Sequence, residues 1–192
     1  MAELTSTHRR GAETRVRAKE VALKLFSQNG YDATSLREIA EQLGVTKAAL
    51  YYHFASKEDI IRSLLADYVE AVDAIVAWVE EIGPRPYEIL DRWAELTRAQ
   101  GQQLIALVMA EPLVIRDMDV EHLQTTQFDA IAAALVAPSV QARDIYRGRL
   151  ALQAIHLATV SGKDLDLPET ELFEVAAQAA RAILSSTHPE QR

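Results

Sequence analysis

The chain has no cysteine in its 192 residues, which excludes disulfides, thiolate metal centres and cysteine nucleophiles and leaves nothing that requires an oxidising compartment. Aromatic residues are scarce at 6%, and no stretch alternates apolar and polar residues as a half-buried strand would. The six prolines fall at or beyond the ends of periodic segments, where they punctuate helices. No apolar run approaches the roughly 18 residues needed to span a bilayer, and no apolar segment follows Arg9 and Arg10 as a secretory leader would demand. The expectation is a soluble, unprocessed, cytoplasmic protein.

Positive charge is also in short supply, with 20 Lys and Arg against 28 Asp and Glu and a net charge of -8. Phosphate binding needs a positive field, so the total argues against nucleic acid. The deficit is uneven, however. Residues 1–62 carry 10 basic and 8 acidic side chains, whereas residues 63–192 carry 10 and 20. Any contact with nucleic acid therefore belongs to the first third of the chain.

What is abundant is aliphatic residues, alanine and the helix formers Leu, Glu, Gln and Arg, which predicts an all-α protein. Ala18, Val21, Ala22, Leu25 and Phe26 form one apolar stripe, and Gly30 ends a first helix over about 12–29. Ser35 and Glu38 make an S-x-x-E capping box for a short second helix that carries Leu36, Ile39, Ala40 and Leu43 and stops at Gly44. Thr46 caps a third short helix, and Ser56 caps a long fourth one that runs to Gly83 and Pro84. Further helices are expected at about 87–110, with a kink at Gly101, and at 120–136, 139–161 and 168–185. The expected division is an N-terminal domain over 1–55 and a larger helical domain over 56–192.

The segment from Leu36 to Tyr51 meets the steric requirements of a helix-turn-helix. Ala40 is small where the two helices cross, Gly44 can adopt the left-handed turn, and Ile39, Val45 and Leu50 close a small core beneath it. That geometry projects the next helix outward, with its N-terminal residues free to face base edges. The flanks sharpen the reading. Gly30-Tyr31-Asp32-Ala33-Thr34-Ser35, Leu50-Tyr51-Tyr52-His53-Phe54 and Ser56-Lys57-Glu58 resemble the same stretches of TetR-family transcriptional regulators, and the likeness covers about residues 14–62.

The resemblance implies a homodimeric, ligand-responsive regulator, in most members a repressor, that binds a palindromic DNA operator and needs no cofactor. Carried over residue by residue, it puts Thr46, Lys47, Ala48 and Ala49 against bases, Lys47 donating to guanine and the alanines touching thymine methyls. Ser35, Arg37, Tyr51, Tyr52, His53 and Lys57 would contact the phosphate backbone. Arg9, Arg10, Arg15 and Arg17 could form a basic arm, although such runs are commonly solvated tails. Phe54 reads as core.

One head covers few base pairs, so useful affinity calls for two. Small residues on the last two long helices, namely Gly148, Ala151, Ala154, Ala158, Ala176, Ala179, Ala180 and Ile183, suit a four-helix dimer interface, and equally an internal core. The family's effector pocket lies among the middle helices, where Trp78, Trp93, Gln103, Met109, Met118, His122 and Phe128 are candidates for its lining. His156 reads as a hydrogen-bonded core or interface residue. Asp117, Asp119, Glu121 and His122 lack the spacing of a calcium loop, and no metal is expected. No catalytic fingerprint is found, and Ser161-Gly162-Lys163 lacks the upstream glycine of a phosphate loop. The competing classes are a helical protein-interaction adaptor acting through residues 36–52 and a small helical enzyme.

Overall fold

The computed structural model describes residues 2–110 and 121–185, the side chains of residues 2–10, 100–102, 109 and 121–125 excepted. Among these residues there is no strand. In chain order the helices are α1 (Ala2–Asn29), α2 (Leu36–Leu43), α3 (Lys47–His53), α4 (Lys57–Ile82), α5 (Pro86–Leu96), α6 (Gln102–Ala110), α7 (Glu121–Leu135), α8 (Ala142–His156), α9 (Ala158–Ser161) and α10 (Glu169–Ser185). A single π turn, Thr97–Gly101, joins α5 to α6, so the kink expected at Gly101 is one wide helical turn. α1 begins at Ala2 rather than near residue 12. The expected helix over 139–161 is split, because Leu157 leaves helical geometry (φ -100°, ψ 9°) and ends α8.

The chain forms two compact units that divide inside α4, between Asp67 and Tyr68. Among the described residues, the first holds 2–67 and 106–110. Its core is the face predicted from helical periodicity: Ala18, Ala22 and Phe26 of α1, Ile39, Ala40 and Leu43 of α2, Leu50 of α3, and Ile60 and Ile61 of α4 are all buried. α1 and α2 pack together, and α2 packs on α3.

In the second unit α8 is the central element, packed against α10, α7 and α5. The approach of α8 to α7 is close because Gly148 has no side chain; an ideal Cβ there would lie 2.3 Å from the carbonyl oxygen of Ala132. Trp93 of α5 is buried and its indole N–H donates to the carbonyl of Leu152 at 3.1 Å, which satisfies the one polar atom of the largest core side chain.

Candidate nucleic-acid interface

Local chemistry sets the position of α3. Ser35 accepts from the Glu38 amide while the Glu38 carboxylate accepts from the Ser35 amide at 2.7 Å, a complete capping box. The Ser35 hydroxyl, donating to the Glu38 carboxylate at 2.8 Å, and then the Ser35 amide hold that carboxyl below its ordinary range, so it stays ionised at the start of α2. Gly44 takes the left-handed conformation (φ 74°, ψ 29°) and its amide, with that of Val45, closes the helix end on Ala40 and Glu41. Thr46 then caps α3 by accepting from the Ala49 amide at 3.2 Å. Ser56 does the same for α4 through Asp59.

α3 is held by one buried residue, Leu50, whose burial contributes about 1.5–3 kcal/mol. Every other α3 side chain is on the surface or half-buried. Thr46, Lys47, Ala48, Ala49, Tyr51 and Tyr52 are all exposed, Tyr52 at 87%. Ser35 and Arg37 on the neighbouring helix are exposed as well, and His53 is half-buried, its ring edge-on to Tyr52 at 5.3 Å. The Lys47 ammonium lies 5.3 Å over the Tyr51 ring, which steadies a long side chain at the leading edge. Arg37 pairs with Glu41 at 2.7 Å, an exposed i, i+4 pair that a phosphate can compete for.

Two basic residues near this surface are tied to the scaffold. Lys57 donates to the carbonyls of Tyr31 at 2.6 Å and Asp32 at 3.4 Å and sits 4.2 Å over the Tyr31 ring. Its ammonium braces the α1–α2 loop. The Tyr31 hydroxyl donates to Glu58 at 2.6 Å, and that bond foremost holds the Glu58 carboxyl below its usual range. Arg15 donates to the carbonyl of His53 at 2.9 Å and to Ser63 at 3.2 Å, and its guanidinium covers the buried Phe54 ring at 4.5 Å, tying α1 to the end of α3. Arg9 and Arg10 belong to helical backbone, with side chains outside the described residues. The buried Lys19 pairs with Asp67.

Residues 20–64 match the family model described as bacterial regulatory proteins, tetR family. The HTH-type transcriptional regulator AcrR of Shigella flexneri is 47% identical over 58 residues, which is 30% of this chain and 27% of that protein. UidR of Escherichia coli K12 is 28% identical over 164 residues, covering 79% of this chain and 84% of its own. Among solved structures, Mycobacterium smegmatis AmtR superposes with a TM-score of 0.63 at 25% identity, over 90% of this chain and 92% of that one. Residues 20–64 are a TetR-family segment. These relatives are transcriptional regulators by name, and this chain spans about a quarter of the length of AcrR.

The second unit contains a cavity of about 240 Å³. α4 contributes Tyr68, Val69 and Val72, α5 contributes Trp93, α7 contributes Gln127 and Phe128, and α8 contributes Gln153 and His156. Of the residues expected to line an effector pocket, Trp93 and Phe128 do so. Trp78 does not: the Arg92 guanidinium covers its ring at 4.1 Å. Gln103 is exposed. Met118 lies outside the described residues, as do the side chains of Met109 and His122 and the segment holding Asp117 and Asp119. Periodicity reads Tyr68, Val72 and His156 as core, and it carries no sign that the core has a hole there.

Among the small residues of the last helices, Gly148 and Ala151 of α8, Ala158 of α9 and Ala176 and Ala180 of α10 are buried within the chain itself, where they let the helices approach closely. Of that set, Ala179 is exposed and Ala154 and Ile183 are half-buried. The outward faces carry larger apolar residues instead. Tyr146 and Leu150 of α8 are 60% and 40% exposed, and Val175 of α10 is 55% exposed.

Proposed function

We propose that this protein is an effector-responsive transcriptional repressor of the cytoplasm that binds a palindromic operator as a homodimer, reading each half-site with α3. The observation that carries the reading is the exposure of Thr46, Lys47, Ala48, Ala49, Tyr51 and Tyr52 on a helix secured from behind by Leu50. A surface of this kind has base-reading donors and methyl groups at its leading end and phenolic hydroxyls further along for phosphates. A helix buried on all sides would have neither function.

Homodimerisation through the outward faces of α8 and α10 is supported by the exposed positions Tyr146 and Leu150 (i, i+4) and Val175 and Ala179 (i, i+4), each pair on one face of its helix. Two heads joined this way would occupy half-sites about 34–36 Å apart. α4 is the mechanical element of the switch. It starts at the Ser56 cap beside α3 and supplies Tyr68, Val69 and Val72 to the cavity, so an occupant that rotates or tilts α4 shifts the population away from the spacing that fits DNA.

The test is selection of bound duplexes from a random pool with the full-length protein. Enriched sequences with two-fold symmetry and half-site centres one helical turn apart are expected. A pool that shows no enrichment, or one enriched for an unpaired single site, refutes the dimeric DNA-reading function.

A further inference from the structure

Among the described residues, the wall of the cavity holds no charged side chain. Beside the amides of Gln127 and Gln153 it presents aliphatic and aromatic surface: Val69 and Val72, and the Trp93 ring, stacked with His156 at 5.9 Å and 21° and met edge-on by Phe128 at 5.8 Å. Such parallel and perpendicular faces offer a flat slot to another ring. Two residues of this wall each carry a buried polar atom without a hydrogen-bond partner, the hydroxyl of Tyr68, a residue only 5% exposed, and Nδ1 of His156. Buried polar atoms are nearly always paired, so both can bond a guest that a small side-chain rotation brings within reach.

Burial alone raises the Tyr68 phenol and lowers the His156 imidazole to about 4, so both groups are neutral at physiological pH. Tyr68 is then a donor, and an uncharged imidazole can complement either a donor or an acceptor at Nδ1. Asp73, beside the wall residue Gln127, is exposed and already accepts from it at 2.7 Å. An ion entering the slot would lose its hydration with no counter-charge among the described wall residues to replace it. As to size, a cavity of about 150 Å³ accommodates benzene, so about 240 Å³ admits one to two fused rings.

We infer that this cavity binds an uncharged, flat molecule of one or two rings, bearing an oxygen that accepts from the Tyr68 hydroxyl and a second polar atom for Nδ1 of His156. The inference rests on the effector-responsive reading and names the chemical class of its effector. Charged amphiphiles are excluded by the absence of a partner on the wall, and purely hydrocarbon guests by the two atoms they would leave unbonded.

The experiment is calorimetric titration of the full-length protein with β-naphthol, naphthalene, β-naphthoate and protonated β-naphthylmethylamine, repeated on Tyr68→Phe. β-naphthol should bind at least about tenfold more tightly than either ion. Tyr68→Phe, which preserves shape, should weaken β-naphthol by about fivefold and leave naphthalene unchanged. Equal affinity for β-naphthoate, indifference of β-naphthol to Tyr68→Phe, or no binding of β-naphthol overturns the inference. The same compounds are then added to the protein bound to its selected duplex. β-naphthol that binds with the expected preferences yet leaves DNA affinity unchanged upholds the chemical class and refutes effector-driven release. A charged compound that releases DNA while β-naphthol fails to bind does the reverse.

Discussion

Alanine at Gly148 would place a methyl group where α7 and α8 touch. An ideal Cβ at that position lies 2.3 Å from the oxygen and 3.0 Å from the carbon of the Ala132 carbonyl, and both are helix backbone that cannot swing aside. Relief requires the two helices to part by about 1 Å, a gap at which an apolar contact loses roughly a quarter to a half of its dispersion energy. Among the contacts at stake are those of Ile131, Leu135, Ala151 and Leu152, which are almost completely buried. Overpacking of this kind costs about 1–3 kcal/mol, and the helix preference for alanine over glycine offsets about 1 kcal/mol. With rigid backbone as the obstacle, the upper end applies and the net loss is about 2 kcal/mol, or roughly 4–8 °C in the melting midpoint of a chain this size. Gly162→Ala is the control, since the atoms nearest its Cβ belong to the Leu172 side chain, the terminal carbons foremost, which can rotate away. Thermal unfolding at a fixed protein concentration measures both. A Gly148→Ala midpoint equal to that of the parent would refute the reasoning, and weaker subunit association without loss of stability would return Gly148 to the dimer interface.

Three further outcomes are expected. Lys57→Ala removes two charge-assisted bonds to the α1–α2 loop at a cost of about 1.5–3 kcal/mol; hydrogen exchange should accelerate at the loop amides, and unchanged protection there would reject the brace. His156 titrates near 4 in the fold against about 6.5 when unfolded. As pH falls the unfolded chain takes up the proton first, so stability is full above pH ~6.5 and declines between ~6.5 and ~4 by at most about 3 kcal/mol. His156→Gln should flatten that part of a urea-denaturation profile, and an unaltered slope would contradict the assignment. Leu150→Glu combined with Val175→Glu, both at exposed positions, should leave the helical content intact and convert the dimer to monomer in sedimentation equilibrium; a persistent dimer would place the interface elsewhere.

The parts of the molecule legible in the sequence are those fixed by interactions between near neighbours. The Ser35–Glu38 box, the Gly44 turn and the Thr46 cap are each written within four residues and appear in the structure at those residues. The stripe of α1 was readable for the same reason, although nothing local marked its true start. The contacts of Lys57 and Arg15 are not legible locally, because their partners, Tyr31 and His53, are 26 and 38 residues away, and a basic side chain beside a reading helix carries no label for which way it turns. Small residues on α8 and α10 correctly signalled close helix contact. They did not say with whom, and Gly148 finds its neighbour in α7 of the same chain. The cavity is least legible of all, because a void is a property of how four helices fail to fill space together.

The construction of α3 separates stability from specificity. At seven residues it is far below the ~12–15 at which an isolated helix becomes even marginal, so it exists only because of the Thr46 cap, the Leu50 anchor and the Arg15 brace on its last carbonyl. None of those depends on the side chains of Lys47, Ala48 or Ala49, which are exposed. A triple variant, Lys47→Gln, Ala48→Ser and Ala49→Arg, should therefore melt within about 3 °C of the parent, each surface change being worth roughly 0.5 kcal/mol or less. Its selected duplexes should differ, since loss of a lysine donor and gain of a forked guanidinium alter base discrimination by about 1–3 kcal/mol per contacted pair. Unfolding midpoints and duplex selection on the two proteins read the terms independently. A large fall in the midpoint would mean that the exposed face also holds α3 together, and an unchanged duplex preference would mean that it does not face the bases.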